Sequence, residues 1–222
     1  MVTRCFFSCC SFTREVTASE AETSKIAGEP VSVAMLAALL LLSCADAIRG
    51  LYLPLVVQQL FGKPELMSYL WSTQAVFELV FMTLTGYWAA KYGSKRIIFI
   101  SSLFALATYL VYLSGADLWF FFLVQPVYSF FVSVLYGVAM GYVQRMFIHR
   151  TGFGSSLYVF ISQTASLTGY LLPLLIRGIS PHIFMIPVCL IVISAGLMGM
   201  EYFRGHRNIR RTREAMNPIA KP

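Results

Sequence analysis

Residues 71–96 read WSTQAVFELVFMTLTGYWAAKYGSKR: an apolar run of helical length that carries one carboxylate, Glu78, and stops at a glycine-punctuated basic turn. About 20 apolar residues, at 1.5 Å of rise each, cross a bilayer core of roughly 30 Å. The run is therefore read as a transmembrane helix, with Glu78 near its middle. A carboxylate at that depth costs about 2.5–3.5 kcal/mol even on insertion scales, so an intramembrane Glu marks a functional position by default. The other apolar runs are expected to pack around this helix and its turn.

Composition extends the reading to the whole chain. Of 222 residues, 58% are hydrophobic and 12% charged, with eighteen Phe and twelve Tyr; mean hydropathy is +0.70. Soluble domains carry about 25% charged residues, twice the share here. The fold class is an all-α membrane protein with six transmembrane helices, at about 31–61, 67–90, 97–114, 118–146, 155–176 and 183–203. Together these make a six-helix transmembrane domain over 31–203. Residues 1–30 mix charges of both signs and read as a polar tail or leftover linker, and 204–222 read as a basic polar tail. Pro54, Pro126, Pro173 and Pro187 fall within the spans, where neighbours or water must satisfy the backbone groups they free.

The net charge of +7 does not point to nucleic acid, because the basic residues sit in short loops and a tail rather than on a soluble face. They indicate orientation instead. Fourteen of the seventeen Lys and Arg fall on one side of the six spans, Lys63 and Arg177 fall on the other, and Arg49 lies inside the first span. Cytoplasmic flanks carry the excess of Lys and Arg, so both termini are expected in the cytoplasm. Trp88 and Trp119, near opposite boundaries, suit the interfacial aromatic belts.

Five cysteines, at 5, 9, 10, 44 and 189, show no zinc spacing. Cys44 and Cys189 lie in apolar runs and read as small core residues. The FFSCCSF segment near the N-terminus is too short for the apolar core of a cleaved signal. No metal and no cofactor is expected.

Polar residues inside the spans are the candidates for function, since a bundle that had only to be stable could avoid them. Asp46 and Arg49, three residues apart, share one helical face near mid-membrane. They either neutralise each other as a structural pair or reach partners on other helices and line a water-filled path. Gln74 lies one turn before Glu78 on the same face. Glu78 has three options: pairing with Arg49 across helices, sitting protonated, or facing a wet cavity. Gln125 and Tyr128 in the fourth span, with Ser162, Gln163, Thr164 and Thr168 in the fifth, offer neutral hydrogen-bonding groups for a hydroxyl-rich solute. The same groups also serve ordinary interhelical bonding. Ser133, Gly137 and Gly141 form a small-residue stripe on the fourth helix and predict the close approach of a neighbour.

The segment GYWAAKYGSKR at 86–96 resembles the loop signature of the major facilitator superfamily, matching it at Gly86, Lys91, Gly93, Lys95 and Arg96. Ala90 stands at the usual acidic position. The strong form of that signature lies between helices two and three and a degenerate copy between eight and nine, so the missing acid suggests the second half. The run from Tyr52 through Arg96, with GVAMGYVQRMF at 137–147 and GSSLY at 154–158, is similar to the sugar efflux transporter family in its C-terminal six-helix half. The likeness spans about 50–200 and is specific at Glu78, Gly86, Gly93, Tyr142 and Gln144. Members of that family often carry an acid beside the Pro-Leu pair of the seventh helix, where this chain has Tyr52, so Asp46 rests on its burial alone.

The resemblance implies half of a twelve-helix major facilitator fold: a secondary active transporter in the plasma (bacterial inner) membrane that exports a sugar-like solute in exchange for protons, by alternating access. Glu78, Asp46 and Arg49 are the candidates for proton coupling or charge relay; Gln74, Gln125, Tyr128, Gln163 and Thr164 for substrate; and Gly86, Lys91, Gly93, Lys95 and Arg96 for a gating loop. Partners would be the bilayer, the solute, and a second six-helix half or a second copy. The odd first thirty residues favour a truncated product or a misplaced start, and a non-transporting subunit remains the alternative. An intramembrane enzyme is disfavoured because His149, His182 and His206 all fall in loops or the tail.

Overall fold

The computed structural model describes residues 32–63, 65–115, 117–175 and 181–216, without the side chains of 149, 174, 175, 181 and 202–216. Expectations for 1–31, including Cys5, Cys9 and Cys10, and for Arg177 lie outside these residues. The described chain is helical, with no strand.

Helix α1 (Val33–Phe61) starts where the Ser32 hydroxyl accepts a hydrogen bond from the Met35 amide at 3.2 Å. Such a cap satisfies one of the amides that every helix start leaves unpaired. It ends at Gly62, whose φ of 66° is the left-handed stop that glycine adopts without strain. Helix α2 covers Glu65–Tyr92 and α3 covers Ser94–Ser114. Between them Gly93 reverses the chain at φ 88°, which explains why the basic turn carries a glycine there. Helix α4 runs over Leu118–Met146 with one π turn, Val134–Val138, inside it. A 3₁₀ turn, Ile148–Arg150, leads into α5 (Thr151–Leu171), and α6 covers Met185–Met216.

GSSLY at 154–158 lies in the first turns of α5. One boundary departs from the sequence expectation: α6 does not stop near 203, and its backbone stays helical through Met216, into the basic segment. Helix formation needs only backbone bonding and tolerant side chains, and Arg and Glu are good helix formers, so a change of polarity did not mark the helix end.

The packing shows an order that no motif displayed. Taken as triplets, α1–α3 and α4–α6 exchange their middle helices: α2 lies against α4, and α5 against α1. Helix α3 packs on α4, α6 packs on α1, and α3 and α6 meet each other. The core consequently belongs to α1, α3 and α4, where Tyr109, Tyr112, Tyr128, Phe121 and Phe131 are fully enclosed. Helix α2 buries only Met67, Leu70, Thr85 and Ala89. The expected arrangement is thus inverted: the 71–96 segment is not the hub of the bundle but lies at its margin, packed on α4.

Among the described residues, four helices are long and apolar enough to cross a membrane, namely Val33–Phe61, Ser94–Ser114, Leu118–Met146 and His182–Glu201. Helices α2 and α5, the two exchanged ones, fall short because Ser, Thr, Gln and Glu dilute them. The chain is an all-α membrane protein on this footing.

Small residues act at places other than the expected stripe. A Cβ added at Gly137 or Gly141 would meet nothing within 4 Å, and both residues border a cavity between α2 and α4. The tight contacts are at Gly169, where a Cβ would lie 2.7 Å from the Cys44 carbonyl oxygen, and at Gly154, where it would lie 3.0 Å from the Gln144 Cα. These two glycines let α5 lie against α1 and against the end of α4. Cys44 is buried in the α1 core as expected, whereas Cys189 is exposed on α6. Its apolar neighbours signalled a membrane span and not a protein core.

Candidate functional site

A polar cavity of about 300 Å³ opens between α1, α2 and α4. Helix α1 contributes Asp46, Arg49 and Gly50; α2 contributes Trp71, Gln74, Ala75 and Glu78; α4 contributes Val132 and Tyr136. Positions 71, 74, 75 and 78 recur at helical spacing and so form one stripe of α2. Two serines of α4 hold that stripe in register. Ser129 Oγ lies 3.0 Å from the Gln74 carbonyl oxygen, and Ser133 Oγ donates to that of Glu78 at 3.3 Å. Both pairs are separated by four residues, so adjacent helical turns are matched rung for rung. Ser129 also reaches the Gln125 carbonyl at 2.8 Å and, with one proton, shares it between the two oxygens.

Arg49 is 3% exposed, and its described partners are neutral. Its Nη2 donates to Gln125 Oε1 at 2.9 Å and its Nε to the Tyr112 hydroxyl at 3.4 Å, while the guanidinium carbon stands 3.6 Å from the centre of the Tyr128 ring. Gln125 Nε2 in turn donates to the Tyr112 hydroxyl at 3.3 Å. The Asp46 carboxylate takes hydrogen bonds from the hydroxyls of Tyr128 and, at 2.7 Å, Tyr136. Tyr128 therefore stands between the two charges, its hydroxyl on the acid and its ring face under the base. Neither the Asp46–Arg49 pair nor the Glu78–Arg49 pair closes among the described residues. The Gln74 side chain lies beside the Glu78 carboxyl group, which is also within electrostatic range of both Asp46 and Arg49.

Of the residues expected from sequence, Asp46, Arg49, Gln74 and Glu78 share one cavity. Gln125 and Tyr128 are fully buried behind it, where they serve the charged side chains directly. Gln163 and Thr164 are exposed on α5 and do not line it. Sequence reasoning missed Trp71, Tyr112 and Tyr136, because in a chain with twelve Tyr no single one stands out. The π turn marks Tyr136: the extra residue it inserts re-aims the α4 side chains, and π turns of this sort recur at functional sites. No three His, Cys, Asp or Glu side chains among the described residues are grouped to hold a metal ion.

The basic turn is anchored to α4. Arg145 Nη2 donates to Ser94 Oγ at 2.6 Å, and the Lys95 ammonium stands 5.7 Å from the Tyr142 ring centre. Lys91 lies 5.3 Å from the Tyr92 ring centre. Gly86 borders the cavity between α2 and α4, Gly93 makes the reversal, and Arg96 borders a different cavity, between α1, α3 and α6.

The family model of the Major Facilitator Superfamily matches residues 35–220, which covers all six helices. The chain belongs to the Major Facilitator Superfamily. No curated protein and no solved structure gives a significant match. Superfamily membership, with the apolar helices, makes it a multi-pass membrane transporter that acts on small-molecule substrates within a lipid bilayer.

Proposed function

We propose that this superfamily member is a proton-coupled exporter of sugars or similar small hydroxylated solutes, working by alternating access. The observation that carries the reading is the convergence of Asp46, Arg49, Gln74 and Glu78 on one cavity walled by Trp71 and Tyr136. Aromatic faces suit the apolar side of a sugar ring, amide and hydroxyl groups suit its rim, and an intramembrane carboxylate suits a proton relay. Glu78 is the proton-coupling acid in this reading, because its partner Gln74 is neutral, whereas Asp46 already takes two tyrosine hydroxyls. Gln163 and Thr164 join the substrate path from the exposed face of α5. A second set of six helices, on a further segment or a second copy, covers the polar faces of α2 and α5, and all six helices then span the membrane. The basic ends of α2–α5, holding Lys91, Lys95, Arg96, Arg145 and Arg150, face the cytoplasm, and the turn holding Gly86, Lys91, Gly93, Lys95 and Arg96 gates the cycle in the plasma membrane.

Efflux of a labelled sugar from proteoliposomes under an imposed pH gradient tests this. Gradient-driven flux by the wild type and loss of its gradient dependence in Glu78→Gln are expected. Gradient-driven flux by Glu78→Gln equal to the wild type would remove the acid from the mechanism. Absence of any flux across a panel of sugars would favour a non-transporting subunit instead.

A further inference from the structure

The hydrogen bonding of α4 changes beside the polar cavity. In an α-helix the Ala139 amide pairs with the carbonyl four residues back, that of Leu135. Here it reaches one residue further, to the Val134 carbonyl, and closes the π turn Val134–Val138. Leu135 is buried, and a buried carbonyl needs a donor. The hydroxyl of Tyr158, on α5, donates to it at 2.5 Å. The segment that brings Tyr158 there is GSSLY at 154–158, whose first residues fix α5 on the end of α4. Gly154 permits close backbone contact with Gln144, and Ser155 Oγ accepts from Gln144 Nε2 at 2.8 Å. Tyr158 follows one turn after Gly154 on the same face and is 4% exposed. Tyr136, the residue after Leu135, lines the polar cavity, with its hydroxyl 2.7 Å from Asp46 Oδ2.

We propose that Tyr158 is a positioning residue for the polar cavity: its hydroxyl holds α4 in the π turn and so keeps the Tyr136 hydroxyl on Asp46. Tyr158 is not among the residues that line the cavity. It acts through the Leu135 carbonyl, where its bond takes the place of the one that the Ala139 amide makes in an α-helix. Without the hydroxyl, that carbonyl recovers a donor most directly by taking the Ala139 amide back. Ser133 and Arg145 hold α4 to α2 and to α3 on either side of the turn, so the extra residue cannot leave the helix and moves to a neighbouring turn. The side chains between 134 and 138 then rotate about the α4 axis, and Tyr136 leaves Asp46. Asp46 keeps one of its two tyrosine donors, and the cavity wall loses a hydroxyl.

Fluorine NMR of the purified full-length chain in detergent, with 3-fluorotyrosine at position 136, reads the contact directly, and Asp46→Ala gives the resonance of the broken bond. Tyr158→Phe is expected to move the resonance towards that of Asp46→Ala. Ser155→Ala, which removes the neighbouring bond between α5 and α4, should leave it in place. Deletion of Gly137 removes the extra residue with the Tyr158 hydroxyl intact and should move the resonance as well, so the π turn is tested even if Tyr158→Phe fails to fold. An unmoved resonance in Tyr158→Phe or in the deletion, or an equal movement in Ser155→Ala, would overturn the proposal. The consequence for the solute rests on the function proposed above. In the proteoliposome assay, Tyr136→Phe, Tyr158→Phe and the double variant should each raise the KM for the transported sugar about fivefold at an unchanged maximal rate, the factor of one hydrogen bond of roughly 1 kcal/mol. A rise of about 25-fold in the double variant would mean that the two hydroxyls act separately, and would also overturn the proposal. If no sugar is transported, the function proposed above fails, and the fluorine resonance still decides the role of Tyr158.

Discussion

Gln125→Met leaves the volume of the site almost unchanged and removes the side-chain carbonyl oxygen that the Arg49 guanidinium reaches at 2.9 Å. A hydrogen bond to a charged group contributes about 1.5–3 kcal/mol. Side-chain bonds between membrane helices average about 0.6 and reach about 1.7 kcal/mol. Because Arg49 is 3% exposed and water cannot replace the lost acceptor, the upper end of the second range applies, and a loss of about 1.5 kcal/mol is expected. The guanidinium keeps its place over the Tyr128 ring, and a desolvated cation–π contact is worth about 2 kcal/mol, so the protein still folds. Arg49→Met strands the Gln125 amide in the same way. The double variant strands neither group, so the two losses should fall short of additivity by about 1.5 kcal/mol. Gln125→Glu, which places a carboxylate against the guanidinium, should be tolerated better than Gln125→Met. Reversible unfolding in mixed micelles with increasing sodium dodecyl sulfate, followed by circular dichroism, measures all four. Losses that add to within about 0.5 kcal/mol would show that the two side chains are not coupled and refute the network.

The same measurement separates the glycines. Gly169→Ala puts a Cβ 2.7 Å from the Cys44 carbonyl oxygen and should cost about 1–3 kcal/mol, as overpacking does. Gly137→Ala, with open space around it, should stabilise by about 0.5–1 kcal/mol through helix propensity; the reverse order would contradict the assigned contacts. Removing the serine rungs in Ser129→Ala and Ser133→Ala should cost about 0.6 kcal/mol each. It should also broaden the distance distribution between spin labels at Tyr69 on α2 and Leu123 on α4, and a distribution as narrow as wild type would show that the rungs do not hold α2.

Much of the candidate site was legible because charge inside hydrocarbon is costly wherever it occurs. Asp46, Arg49 and Glu78 were conspicuous for that reason, and helical spacing put Gln74 beside Glu78. Their partners were not legible. An Asp and an Arg three apart on one helix suggest an ion pair, yet Tyr128 intervenes, and it does so from a helix 82 residues away in sequence. Gln163 and Thr164 carried the same chemical signal as Gln125 but point from another helix into no described cavity. Small-residue spacing misled similarly: Gly137 and Gly141 look like a packing stripe, whereas Gly169, alone in its run, is where two backbones approach.

Composition and hydropathy alone determined an all-α membrane protein and its helical segments, because the bilayer imposes length and apolarity on each segment independently of its neighbours. Which helix is central, which face of α2 meets α4, and which neutral groups hold Arg49 were decided only by tertiary structure. Lipid rewards apolar surface on every side of a helix, so hydropathy contains no record of which side meets protein, and that choice falls to close packing and to a few hydrogen bonds between helices distant in sequence.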